Sequence, residues 1–360
     1  MNRLFQIVEM SGSFYHAGSK ATADIAAIAE GKGFRRLPVR MDTTADTKLA
    51  KLQRQRGYLR DWHAADRAVR AAGRDAVVLL QHPFHYPQLT RERTLRRWKQ
   101  GGCRFICLVH DVEELRGFRY NEYYRREFAV MLELADALIV HNAAMARFFA
   151  ERGVPEHKLV RLEVFDYLQP RPNTALPAFS RCVTVAGNLD VQKCGYIGEL
   201  AQLSGVELRL FGPNFPDVLQ ACPHIRYGGC LSPEELPQRL TAGFGLVWDG
   251  SSIDGCRGPS GRYLRYNNPH KLSLYLSSGL PVVIWSQAAE AAYVRQHGVG
   301  LCVDTLTDLC TALAAVTAED YAAMAQRVQG EQSRLLAGHY AARALDSALQ
   351  MLQTAYADER

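Results

Sequence analysis

Short apolar runs alternate with longer amphipathic stretches along this chain, and the period of the pattern changes regularly. Runs rich in Val, Ile, Leu and Phe at residues 4–8, 34–39, 76–81, 105–109 and 137–141 read as strands buried on both faces. Between them, apolar residues recur with helical period across residues 19–30 and 46–72, up to Trp98, across 121–134, and onward from Ala143. Alternating strands and helices predict a parallel sheet covered on both sides. A break at residues 167–180, carrying Pro170, Pro172 and Pro177, ends this series. A second series then begins, with strand-like runs at 182–186, 207–211, 244–248, 282–285 and 299–303. A capping box of Ser232 and Glu235, with Pro233 between them, opens a helix there, and helical periodicity continues from residue 306 to the end. The expected fold is α/β, with two doubly wound Rossmann-like domains facing across a cleft: residues 1–170, residues 181–335, and a final helix, 336–360, that crosses back to the first. Such domains carry their ligand loops at the carboxyl ends of the strands, so the site is expected in the cleft.

The segment 258–285, reading GPSGRYLRYNNPHKLSLYLSSGLPVVIW, predicts a helix built to hold a phosphate. Asn268 is expected as N-cap, Pro269 at the first helical position, and Gly279 with Pro281 at the end. Lys271 then falls in the first turn, where a cation opposes the helix dipole unless an anion sits beside it. A bound diphosphate would remove that conflict; the alternative is an ordinary helix with a solvated lysine. Three other loops follow strands of the same series. One carries Gly187 and Asn188 with Lys193 further on, one Gly212 and Asn214, and one Asp249. Each alone is a turn signal. Together with Asn268 and Lys271 they point to a nucleotide diphosphate.

Apolar residues make up 48% and charged residues 22%, which excludes a largely disordered chain. No apolar run approaches the ~18 residues of a membrane span, and the N-terminus enters a strand-like run without signal-peptide architecture, so a cytoplasmic protein is expected. The nine cysteines include no Cys-x-x-Cys pair and read as free thiols. Lys plus Arg outnumber Asp plus Glu by 28 to 20 in residues 1–170, against 15 to 17 in residues 171–360, which sum to the 43 and 37 of the whole chain. Two clusters carry the excess: Arg54, Arg56 and Arg60 beside Tyr58 and Trp62, and RERTLRRWK at residues 91–99. Either fits anionic lipid on the inner face of a membrane, a phosphate-bearing acceptor, or a solvated helix face. Nothing resembles a nucleic-acid module, and self-association is left open.

The motifs AGNL, FGPNF, PEELP, GFGLVWDG and the 258–285 segment resemble bacterial nucleotide-sugar glycosyltransferases of the GT-B fold, specifically the serine-rich-adhesin glucosyltransferases and the O-antigen-type β-1,6-galactofuranosyltransferases. The likeness is specific over residues 181–300 and looser across the first half, where the loops SGSFYHAGSKATADIA, QHPFHYP and HDVEELR carry it. It implies a UDP-sugar donor in the second domain, a glycan or lipid-linked glycan acceptor in the first, and no metal or other cofactor. Asn268 and Lys271 match the donor-phosphate positions, with Tyr266 and the Gly187 loop as further donor contacts. Where many retaining members carry glutamate three residues after the lysine, this chain has Leu274, which removes support for that mechanism and favours inversion.

An inverting transfer needs a base opposite the nucleotide. Asp111 is the favoured candidate and Glu113 the second, since both follow the strand ending at Val109; a cap, or an ion pair of Asp111 with Arg116 or Arg119, is an equal reading. His16, in the loop after the first strand, is the third, and a role in acceptor binding is an equal reading of it. Residues 12–20 fail as a P-loop, because five residues separate Gly12 from Gly18 and Ser19 precedes Lys20. Galactofuranose in place of a pyranose is the alternative donor within the fold. A UDP-sugar epimerase and a catalytically silent subunit chaperoning a partner enzyme are the alternatives outside it.

Overall fold

The computed structural model describes residues 3–11, 17–41 and 47–358 and contains two parallel six-stranded sheets. The first has the order β2-β1-β3-β4-β5-β6, built from β1 (Leu4–Ser11), β2 (Arg35–Met41), β3 (Val77–His82), β4 (Arg104–Val109), β5 (Ala137–Val140) and β6 (Leu159–Arg161). The second has the order β12-β11-β10-β7-β8-β9, built from β7 (Ala178–Ala186), β8 (Leu208–Phe211), β9 (Ile225–Tyr227), β10 (Ala242–Val247), β11 (Val282–Trp285) and β12 (Gly300–Val303). Both edge strands β6 and β9 are three residues long, too short to print an alternation, and neither was expected from the sequence. No helix or strand occupies the stretch between Arg161 and Ala178.

Successive residues of β4 show why its run is uniformly apolar. Phe105, Cys107 and Val109 pack into a core with Tyr58, Trp62, Trp98 and Phe149, while Ile106 and Leu108 face the opposite side with Ile25 and Ile139. That second layer is continuous with the core of the second half through Val164, Phe165 and Tyr167. It also takes in Tyr340, Leu345 and Leu352 of the last helix, His339–Asp358, which packs on β5, β6 and the helix Ala17–Gly31. Asp166 accepts from the N–H groups of Tyr340 and Ala341 at 3.1 and 2.7 Å, and Lys32 pairs with Asp346 at 2.7 Å. The returning helix is thus capped from the connecting stretch and fastened to the first half.

Ser232 and Glu235 do form the reciprocal capping box, at 3.1 and 3.2 Å, but only a 3-10 stretch, Leu236–Arg239, follows. All nine cysteines are free thiols. Among the described residues no helix is long and apolar enough to cross a membrane.

Candidate functional site

In the second sheet the chain order reverses between β7 and β10, and ligands of open α/β sheets bind outside the carboxyl ends at such a reversal. The loops there interlock through glycine. Gly187 adopts φ +131° and donates its N–H to Phe211 O at 3.0 Å; Gly212 adopts φ +142°, and a Cβ on it would lie 1.7 Å from Gly187 O. Only glycine tolerates that approach. Asn188 accepts from the Asn214 amide at 2.8 Å, so the two loops are also tied at their tips.

The helix carrying Lys271 runs His270–Ser277, one residue later than expected. Pro269, with extended φ and ψ, occupies the cap position and no side chain caps it. The far end closes as the glycine-proline signal predicts: Gly279 at φ +84° donates to Leu276 O, and Leu280 donates to Tyr275 O. Lys271 lies in the first turn. Its stem crosses Gly187, where a Cβ would meet Cε at 3.3 Å, and Nζ donates to Trp248 O at 2.9 Å. Burial opposes its charge most strongly, but the nearby Asp249 carboxylate together with Cys194, Tyr275 and Cys256 outweighs this and holds its pKa above the ordinary lysine value. Asp249 itself accepts from Gly250 N at 2.8 Å and from the Cys194 thiol at 3.4 Å.

Tyr275, read from the sequence as a core aromatic, does more. Its hydroxyl donates to Thr184 O at 3.1 Å and accepts from Ala186 N at 2.8 Å, pinning the end of β7 one residue before Gly187. Its ring lies across Gly245 of β10, where a Cβ would approach the ring to 2.1 Å. The signal was present as a glycine inside an otherwise apolar strand.

Asn268 corrects an expectation. It is no N-cap: its amide donates to His141 O and Glu163 O at 3.1 and 2.9 Å, its Oδ1 accepts from Asn142 at 2.8 Å, and its N–H donates to His141 Nδ1 at 2.9 Å. His141 Nε2 in turn donates to Val109 O at 3.0 Å, which fixes the neutral tautomer, and burial lowers its pKa to about 3. Asn142 also donates to Tyr266 O and to Glu290, whose carboxyl is pushed by burial up to about 8. The Tyr266 ring meets Phe148 edge-on at 6.2 Å, in the first half. Asn268 and Tyr266 therefore form the seam between the halves, while Gly187, Asn188, Asn214, Asp249 and Lys271 converge on one crevice. His141 and Asn142 were missed because a post-strand His-Asn pair reads only as a helix cap, which Asn142 also is.

Across from the crevice lies the loop after β4. Asp111 accepts from Arg116 at 2.8 Å, so the expected ion pair forms, and burial raises its pKa to about 6 against the pull of that guanidinium. Glu113 is fully engaged, accepting from Arg116 at 3.1 Å and from Arg119 N at 3.1 Å, with its side chain 2% exposed. That geometry suits an anchor for the loop. Tyr263, in the helix Gly258–Tyr263 of the second half, accepts from Val112 N at 3.0 Å, and the Lys193 ammonium stands 5.4 Å from the Phe118 ring. These contacts place the Asp111 loop opposite the Gly187 loop. His16 lies outside the described residues.

The first sheet reverses elsewhere, between β1 and β3. Glu9 stands there at the carboxyl end of β1, accepting from Gln88 at 2.6 Å, with its pKa raised by burial to about 7. Sequence reading missed it because a lone glutamate in a strand-like run carries no local signal.

Family models describing the glucosyltransferase 3-like N-terminal and C-terminal domains match residues 5–164 and 183–348. The chain belongs to the glucosyltransferase 3-like family. The β-1,6-galactofuranosyltransferase WbbI of Escherichia coli K12 is 30% identical over 256 residues, covering 70% of this chain and 73% of that protein. Glucosyltransferase 3 of Streptococcus gordonii is 25% identical over 334 residues, 92% of this chain and 94% of that one. HepE of Anabaena, solved in complex with UDP, superposes with a TM-score of 0.58 at 12% identity, covering 98% of this chain and 100% of that one. This glucosyltransferase 3-like protein is accordingly a glycosyltransferase with the GT-B fold. Leu274, the position that departs from many retaining GT-B enzymes, is 8% exposed and packs in the core of the second half.

Proposed function

We propose that this glycosyltransferase moves a hexosyl group from a UDP-sugar to a hydroxyl of a glycan or lipid-linked glycan, with inversion and without a metal, in the assembly of a bacterial surface polysaccharide or glycoprotein. The observation that carries the reading is Lys271. It is a cation in the first turn of a helix, laid over the Gly187 backbone at the strand-order reversal and held there by the Trp248 carbonyl, while Tyr275 of the same helix pins the end of β7. Helix N–H groups and a lysine converging on one point make an anion site, and the charge that develops on the leaving diphosphate is the anion such a site stabilises. Gly187, Asn188 and Asn214 bind the diphosphate and its nucleoside beside it; Asp249 keeps Lys271 charged. The UDP in the HepE complex and the names of the curated relatives support the donor class.

Opposite the donor, Asp111 receives the acceptor proton as the hydroxyl attacks the anomeric carbon and the bond to the β-phosphate breaks. A carboxyl held at about 6 is ionised at neutral pH yet basic enough to share a proton in the transition state. Asn268 acts through position, holding the two halves in register around Lys271.

The 30% identity to a galactofuranosyltransferase supports a second reading of the donor ring form, UDP-galactofuranose in place of a pyranose. UDP release from a panel of UDP-sugars in the presence of a metal chelator, with the product anomer assigned by NMR, tests the whole proposal. Turnover of one donor with inverted configuration is expected. Turnover only after metal is restored, or a retained configuration, contradicts it, and intact donors throughout favour the silent-subunit alternative.

A further inference from the structure

The two arginine clusters of the first half fare differently in the fold. In the helix Arg91–Gln100, Arg91 is buried against Glu127, Arg96 meets Glu133 at 2.8 Å, Arg97 meets Asp66 at 2.8 Å, and Lys99 pairs with Asp136. That cluster is largely neutralised within the protein. In the helix Lys48–Ala71 the inner face is buried through Tyr58, Trp62, Ala65 and Val69. The outer face combines exposed leucines with cations. Leu49, Leu52 and Leu59 are 65%, 51% and 39% exposed, and exposed Lys48, Arg56, Arg60, His63 and Arg67 flank them at helical spacing. Among the described residues none of Lys48, Arg56, Arg60 or Arg67 forms an ion pair, and residues 48–60 contain no Asp or Glu.

The patch continues onto the loop after β3. Leu89, 55% exposed, donates its N–H to Gln55 Oε1 at 2.9 Å, and Gln55 donates to Pro87 O at 3.1 Å, so this loop lies along the helix. The neighbouring Gln88 reaches Glu9 at the strand-order reversal of the first sheet.

From this juxtaposition we propose that the Leu49–Leu52–Leu59–Leu89 face, with its unpaired cations, docks the protein on an anionic lipid bilayer. Leucines on an amphipathic helix enter the headgroup boundary while flanking Lys and Arg side chains reach the phosphates, and each component is weak without the other. A second copy fits poorly, because a two-fold contact of this face with itself brings like charges together. Nucleic acid would satisfy the arginines but leave the leucines against a polar backbone. Docked this way, the protein presents the carboxyl ends of β1 and β3 to the membrane surface, where an acceptor carried on a lipid would enter.

Flotation of the full chain with vesicles tests the proposal. Equimolar phosphatidylcholine and phosphatidylglycerol vesicles are compared with phosphatidylcholine alone, at low and high salt, and thermal melts confirm that each variant is folded. Wild type is expected to float only with the anionic vesicles and to release in high salt. Arg56→Gln/Arg60→Gln and, separately, Leu49→Ser/Leu52→Ser should each weaken binding about tenfold or more. The control pair Arg226→Gln/Arg239→Gln, exposed in the second half, should not. Failure of wild type to float at low salt, or equal loss in the control pair, overturns it. So does a Leu49→Ser/Leu52→Ser protein that floats normally while its sedimentation mass drops, since the face is then a self-contact. Binding of the wild type to an unrelated DNA duplex but not to vesicles overturns it as well.

Discussion

The two halves have nearly the same architecture, yet their reacting ends are built differently. In the second sheet the strand order β9-β8-β7-β10-β11-β12 follows the familiar dinucleotide-binding sequence, and the reversal, the glycine loops and the Lys271 helix coincide. In the first sheet the reversal lies between β1 and β3, at Glu9, whereas the loop facing the second half follows β4 and carries Asp111. One half thus gathers its glycine loops and Lys271 at one reversal, where the diphosphate is proposed to bind; the other offers two carboxyls with raised pKa values, at about 6 and about 7. The lesson is that a site made of backbone and one motif is fixed by local geometry, while a site made of separate loops depends on what each loop meets.

The sharpest way to break this comparison is to ask which carboxyl is the base. Asp111→Asn is expected to lower kcat by about 10²–10⁴. The wild-type kcat/KM should climb as pH rises through about 6, because the base acts as the carboxylate, and then level off. An ascending limb near 7 that survives in Asp111→Asn and disappears in Glu9→Gln moves the base to the strand-order reversal of the first sheet.

Glycines sharpen the contrast between the halves. Gly212→Ala forces a Cβ against Gly187 O in a backbone region closed to other residues, and a loss of several kcal/mol, on the order of 3 or more, is expected in denaturant unfolding. Gly153→Ala in the first half has a positive φ but open space around it, so about 1 kcal/mol is expected. Equal costs would show that the Gly187 and Gly212 loops are not interlocked.

A further effect concerns the seam. Glu290 is protonated more readily in the folded protein than in the unfolded chain, so it binds a proton on folding between its ordinary value of 4.5 and about 8. The stability it contributes is complete below 4.5 and is lost as pH rises through 8. Glu290→Gln should remove that dependence, narrowing the difference in unfolding free energy between pH 5 and pH 8 by roughly 3–4 kcal/mol, as read by urea titration at each pH. An unchanged difference would place the carboxyl in a wetter setting than the structure gives it.

Much of the fold was legible because strands buried on both faces print continuous apolar runs, as the run through β4 does, and because Gly279 and Pro281 close a helix whatever surrounds them. Legibility ended where tertiary partners compete with local rules. Asn268 before Pro269 has every local mark of a cap, but His141, Asn142 and Glu163 take its side chain instead. The residues 91–99 looked like a basic face, and the carboxylates that neutralise most of it come from remote elements at Asp66, Glu127, Glu133 and Asp136. Tyr275 shows the same limit at the site itself: the helical spacing places its ring in the core, and only the fold reveals that its hydroxyl closes the end of β7.

The central claim is that Lys271 and the loops it crosses form a nucleoside-diphosphate site needing no metal. Calorimetric titration of UDP, with GDP as control, into wild type and Lys271→Ala in buffer containing a chelator tests it most directly. The account predicts UDP binding by wild type without metal, weaker or absent GDP binding, and loss of UDP binding in the variant. Unaltered UDP affinity in a folded Lys271→Ala protein would contradict it.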